Sequence, residues 1–220
     1  MLYFNQMENE VTLKIGGVDL TGDLSMVEGA IGLVIFAHGS GSSRKSPRNR
    51  FVAEQLNNIK ISTLLFDLLT EEEDKLSDNR FDIELLTDRL VGVTKWCMEN
   101  ERTRDLPLAY FSSSTGAAAA LSAAAYWGLK IKSVVSRGGR PDLAGEVLDL
   151  VESPTLLIVG GADRQTIDLN RQAYIHIGCE KKTEVIPNAT HLFEEPGALE
   201  KVAELAGKWL VKHFEGAAGD

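Results

Sequence analysis

Ser114, Asp163 and His191 each stand just beyond a short apolar run. A hydroxyl, a carboxylate and an imidazole are together the groups that nucleophilic acyl chemistry needs. A serine hydroxyl attacks an acyl carbon only once a base takes its proton, and histidine is the side chain poised for that near neutral pH. Ser114 is thus the candidate nucleophile, His191 the base, and Asp163 the group that fixes the imidazole tautomer and steadies the imidazolium. Each has a plainer job to weigh. Serine is an ordinary helix N-cap, Asp163 could cap the helix after Gly161, and a lone histidine is commonly structural. Asp142, which follows the preceding strand, is the rival acid. His176 and His213 fall inside helices, and His38 suits a role in shaping a glycine loop.

The elements that must position these groups are legible in turn. In the stretch LPLAYFSSSTGAAAALSAAA, Leu108–Phe111 reads as a buried strand. Three serines, Thr115 and Gly116 follow, and then an alanine-rich helix. A strand, an abrupt polar turn and a helix put Ser114 on a tight corner, with the next backbone N–H groups and the positive end of the helix dipole facing the same space. The run Ile31–Ala37 is apolar at nearly every position, as an interior parallel strand would be. It ends in His38-Gly39-Ser40-Gly41, whose glycines let backbone N–H groups approach an anion.

Along the chain, residues 1–10 read as a loose leader, and Val11–Leu20 as a hairpin turned by Gly16-Gly17. Helix is expected from Pro47 to Ile59 and strand from Ile61 to Phe66. The acidic run Glu71–Asp74 and the Lys75–Arg80 stretch after it read as a solvated loop. Helix follows over Phe81–Met98, strand over Ile131–Val135, a short helix over Leu143–Leu150, and strand over Pro154–Val159. Helix over Ile167–Ile177, strand over Lys182–Ile186 and a last helix from near Pro196 complete the chain, with residues 215–220 fraying. One domain, 11–214, holds all of it. Alternating strands and helices imply a mainly parallel sheet with helices on both faces, its ligand site beyond the carboxyl ends of the strands. His38, Ser114, Asp163 and His191 all fall at that rim.

Composition narrows the partners. With 23 basic and 32 acidic residues the net charge is −9, and no basic stripe is visible, so nucleic acid is a poor fit. No apolar run approaches a membrane span, and the N-terminal residues lack a signal-peptide pattern, so the expected location is cytoplasmic. Cys97 and Cys179 sit far apart in no metal-ligand spacing and suit reduced thiols. Neither a metal nor a cofactor is implied, and a monomer or homodimer is expected.

The order Ser114, Asp163, His191 is the chain order of an α/β-hydrolase triad. Segments from VIFAHGSGSSRKSPRNRFVAE through YFSSSTGAAAAL, SRGGRPDLAG and LLIVGGADRQT to ATHLFEEPGALE resemble the small, capless α/β-hydrolases of the dienelactone hydrolase-like group. The resemblance implies an α/β-hydrolase fold with no large cap domain. It also implies a serine hydrolase cleaving a small carboxylic ester, thioester or lactone through an acyl-Ser114 intermediate. An oxyanion hole would combine the N–H of Thr115 with one from the 38–41 loop, Ser40 being the first choice. Gly39, Arg44 and Arg140 are candidate substrate contacts; Arg44, Arg48, Arg137 and Arg140, all near the same rim, could bind an acidic substrate group or, the slightly favoured reading, simply pair with acidic neighbours. Two departures stand out: true dienelactone hydrolases use a cysteine nucleophile, and Ser112 occupies the first glycine position of the Gly-x-Ser-x-Gly elbow. A non-catalytic small-molecule binding protein, its elbow altered by Ser112, is the alternative.

Overall fold

The computed structural model describes residues 7–216. Eight strands form one sheet in the order β1-β2-β4-β3-β5-β6-β7-β8. The hairpin β1 (Met7–Ile15) and β2 (Val18–Met26) is antiparallel and joins β4 antiparallel. The remaining strands run parallel: β3 (Gly32–Ala37), β4 (Ile61–Phe66), β5 (Leu108–Ser113), β6 (Ile131–Arg137), β7 (Thr155–Gly160) and β8 (Lys181–Ile186). Residues 7–10 of the expected leader are therefore strand; they pair with 23–26, so the hairpin is longer than its alternation suggested. Residues 1–6 and 217–220 lie outside the described residues.

Strands β3, β4, β5 and β7 are buried at every position, because helices cover both faces. On one face lie α1 (Pro47–Asn58) and α6 (Ala198–Glu215). On the other lie α3 (Ile83–Glu99), α4 (Gly116–Trp127), α5 (Arg164–His176) and the 3₁₀ segment Pro141–Leu150. The expected helix over 143–150 is thus 3₁₀, broken at Gly145 by a positive φ of 58°. The acidic run expected as loop begins with a single helical turn, α2 (Glu71–Asp74), held by a reciprocal capping box between Thr70 and Glu73.

The alanines of α4 let it lie close against the sheet. At its first residue the constraint is absolute: a Cβ on Gly116 would sit 2.4 Å from the Ala37 carbonyl oxygen and 2.5 Å from that of His38. Only glycine lets the helix start against the end of β3.

Candidate active site

Ser114 follows β5 with a φ of +48°, a left-handed conformation unusual for a residue with a side chain. Two N–H groups clamp its carbonyl: Ala117 at 3.1 Å from the new helix and Arg140 at 2.9 Å from the segment after β6. A Cβ on Gly39 would lie 2.7 Å from Ser114 Cβ, so the loop after β3 packs directly against the serine. These contacts hold a strained corner that would otherwise relax.

Ser112, at the elbow's first glycine position, is fully buried, and its hydroxyl donates to the Val135 carbonyl at 3.0 Å. The added polar atom is satisfied within the neighbouring strand. It leaves the left-handed turn two residues later intact.

Asp163 and His191 are brought together by two zipped turns. A Cβ on Gly160 would lie 2.4 Å from the Ala189 carbonyl oxygen, and the Ala162 N–H donates to that same oxygen at 2.9 Å. The turn after β7 thus packs on the turn after β8. There His191 Nδ1 lies 2.8 Å from Asp163 Oδ2. The other carboxylate oxygen, Oδ1, accepts the Thr166 N–H at 3.1 Å as the N-cap of α5. The two roles weighed for Asp163 coexist, one on each oxygen. Burial works to raise the Asp163 pKa, but the hydrogen bonds from Thr166 and His191 outweigh it and hold the carboxyl below its ordinary range.

The rival acid is occupied elsewhere. Asp142 forms a two-pronged pair with Arg140, at 2.9 Å from Nε to Oδ1 and 2.8 Å from Nη2 to Oδ2. His191 instead lies over the end of β6: a Cβ on Gly138 would be 3.6 Å from its Cε1. The preceding residue, Arg137, pairs in register with Ser113, next to the candidate nucleophile. Ser114 and His191 thus share a rim, with no hydrogen bond between them among the described residues. Such bonds are commonly long before substrate arrives.

Around Ser114 the expected anion donors are arranged differently from the sequence reading. The Ser40 N–H donates to Thr115 Oγ1 at 2.9 Å, because the Thr115 hydroxyl makes no cap bond in α4 and is the acceptor at hand. The Thr115 N–H precedes the first helical turn, where no intrahelical carbonyl is available to it. His38 fixes the loop from beneath. Its Nε2 accepts the Leu68 N–H at 3.0 Å, which leaves the ring proton on Nδ1 to donate to the Gly39 carbonyl at 3.0 Å. A cleft of ≈ 10 Å³, room for about one water, opens beside Gly39 and Thr115 and is walled by Leu68, Leu69 and Leu86.

The two arginines expected to touch substrate are committed to the protein. Arg44 binds Asp67, Asp23 and Glu10, and Arg140 binds Asp142. Arg44 is drawn in by carboxylates from β1, β2 and the end of β4, partners remote along the chain. Among the described residues no group of three or more His, Cys, Asp or Glu side chains is placed to hold a metal ion, and no helix is long and apolar enough to cross a membrane.

A mainly parallel sheet covered by helices on both faces, with a left-handed serine at its strand-to-helix corner, defines an α/β-hydrolase. No family model matches the chain. Dienelactone hydrolase from Anabaena variabilis is 50% identical, with a TM-score of 0.92 covering 94% of this chain and 98% of that one. The chain belongs to the small, capless α/β-hydrolases of the dienelactone hydrolase-like group. Est1E from Butyrivibrio proteoclasticus shares the fold at 16% identity, TM-score 0.76, over 94% of this chain and 99% of its own. Among curated proteins, two from Mycobacterium tuberculosis strains, each named "Putative phosphoribosyl transferase", are 53% identical over 209 residues. That match takes in 95% of this chain but 47% of theirs, so the chain spans about half their length.

Proposed function

We propose that the protein is a serine hydrolase that cleaves small carboxylic esters, thioesters or lactones through an acyl-Ser114 intermediate. The observation that carries this is the left-handed Ser114 at a clamped corner, on the same rim as a His191 already bonded to Asp163. His191 Nδ1 donates to Asp163, which leaves Nε2 as the base for the Ser114 proton. Attack of Oγ on the acyl carbon puts negative charge on the carbonyl oxygen, and the Thr115 N–H is the first donor to it. The Ser40 N–H is the second, for which the oxyanion competes with Thr115 Oγ1. His191 then protonates the departing alcohol, thiol or lactone oxygen. A water activated by the same imidazole releases the acid and restores the serine.

Ser112 does not argue for an inert binding protein, since its hydroxyl is satisfied and the elbow keeps its geometry. The transferase name belongs to proteins of which this chain spans about half the length. A fluorophosphonate probe tests the reading: stoichiometric labelling is expected, and Ser114→Ala abolishes it. A folded wild-type protein that stays unlabelled refutes it.

A further inference from the structure

Among the described residues, arginines are paired with carboxylates wherever they are even half buried, with one exception. Arg44, Arg80, Arg89 and Arg140 each hold at least one Asp or Glu. Arg137, at the end of β6 and 6% exposed, holds none among the described residues. Its contacts are a long bond from Nη2 to Asn49 Oδ1, at 3.4 Å, and the Phe193 ring, whose centroid is 5.7 Å from Cζ. Its Nε is buried without an acceptor, and so is that of Arg48.

The surroundings deepen the positive field. Arg48 lies in the first turn of α1, at the positive end of that helix's dipole. Its one carboxylate is Glu194, 2.9 Å away and 63% exposed. Burial, and secondly the Arg48 charge, push the Arg137 pKa down to about 10, which still leaves it charged at neutral pH. Phe193, two residues after His191, keeps its ring against this guanidinium from a left-handed backbone at φ +57°. A buried, nearly bare cation is costly unless an anion completes it.

We infer that Arg48 and Arg137 form an oxyanion-binding subsite beside His191, taking a carboxylate or phosphate group of the ligand. The geometry puts this group on the α1 side of the rim, where Arg137 stands next to Ser113 in register. Two forked guanidiniums match such planar or tetrahedral oxyanions in a way that a chloride cannot. Glu194 is the stand-in that the ligand displaces: an exposed carboxylate holding Arg48 from the solvent side. Tied to the hydrolase reading, the subsite makes the preferred ester an anionic one, and only that consequence rests on the reading.

Binding is measured on the Ser114→Ala protein, which cannot turn over, so the result does not depend on probe labelling. Melting temperature is followed at constant ionic strength as chloride is replaced by inorganic phosphate or by acetate. An oxyanion-specific rise is expected. It is lost in Arg137→Met, and in Arg48→Met it needs about tenfold more anion, as for loss of one charge-assisted contact. Arg137→Lys, which keeps the charge without the fork, covers the case in which the Met variant does not fold, and should weaken the response without removing it. A response to phosphate alone assigns a phosphate group, and a response to acetate assigns a carboxylate. No rise beyond chloride, or a rise undiminished in the Arg137 variants, overturns the inference.

Discussion

At the scale of single residues, Asp163 does two jobs with its two oxygens, and substitutions can separate them. Asn keeps a side-chain oxygen for the Thr166 N–H and is as good an N-cap as Asp, whereas Ala keeps neither bond. Asp163→Asn should therefore unfold in urea close to wild type, and Asp163→Ala about 1 kcal/mol earlier. Both should lose about 10⁴-fold in kcat if Asp163 supports the His191 tautomer, as expected of a triad carboxylate. Equal kcat in wild type and Asp163→Asn would reduce the residue to a cap. The dual role was half legible in the sequence: Gly-Gly-x-Asp after an apolar run marks both a cap and a triad acid, and nothing local excludes their coexistence. Arg44 and Arg140, candidate substrate contacts by position, each hold carboxylates in the structure, and the two pairings arise for different physical reasons. The Arg44 partners Asp23 and Asp67 are brought in only by the pairing of β2 with β4. The Arg140 partner is two residues away, but only the folded turn aims it back.

At the scale of elements, the loop that faces Ser114 is held by one imidazole between the ends of β3 and β4. His38 accepts from the Leu68 N–H, so protonation of Nε2 would remove the acceptor and press two donors together. Burial lowers its pKa from the ordinary 6.5, against the opposing pull of the Gly39 carbonyl. Below 6.5 the unfolded chain takes up a proton that the folded chain refuses, so this site's contribution to stability falls as pH drops from 6.5 to the folded pKa. The slope reaches at most about 1.4 kcal/mol per pH unit for one proton. Urea unfolding of wild type against His38→Gln across pH 7 to 5 should isolate it, the variant being flatter. Parallel slopes would mean that His38 is free to titrate in the fold. The interior strands were readable because burial on both faces leaves uninterrupted apolar runs. The turn at 71–74 was not, since four consecutive acids mask the Thr-x-x-Glu capping box that orders them. The Ser40 N–H also went elsewhere than expected, because the nearest acceptor, Thr115 Oγ1, lies 75 residues on.

At the scale of the whole molecule, the last helix, α6, seats its far end on an inner strand of the sheet. Phe214, in the last turn of α6, lies over Gly32, the first residue of β3. A Cβ built on Gly32 would fall 2.6 Å from the Phe214 ring. No local signal announces this contact, because an aromatic and a glycine some 180 residues apart are unremarkable separately. Gly32→Ala should force the buried ring to shift, costing about 1–3 kcal/mol as overpacking does and outweighing the smaller gain from a stiffer unfolded chain. Phe214→Leu alone should destabilise by leaving a gap. In Gly32→Ala/Phe214→Leu the new methyl occupies part of that gap, so the pair should lose less than the sum of the single changes. Urea denaturation of the four proteins measures the coupling. Strict additivity would show that α6 docks without registering on β3, and that the rim carrying His191, which leads into this helix, is positioned by its own turn alone.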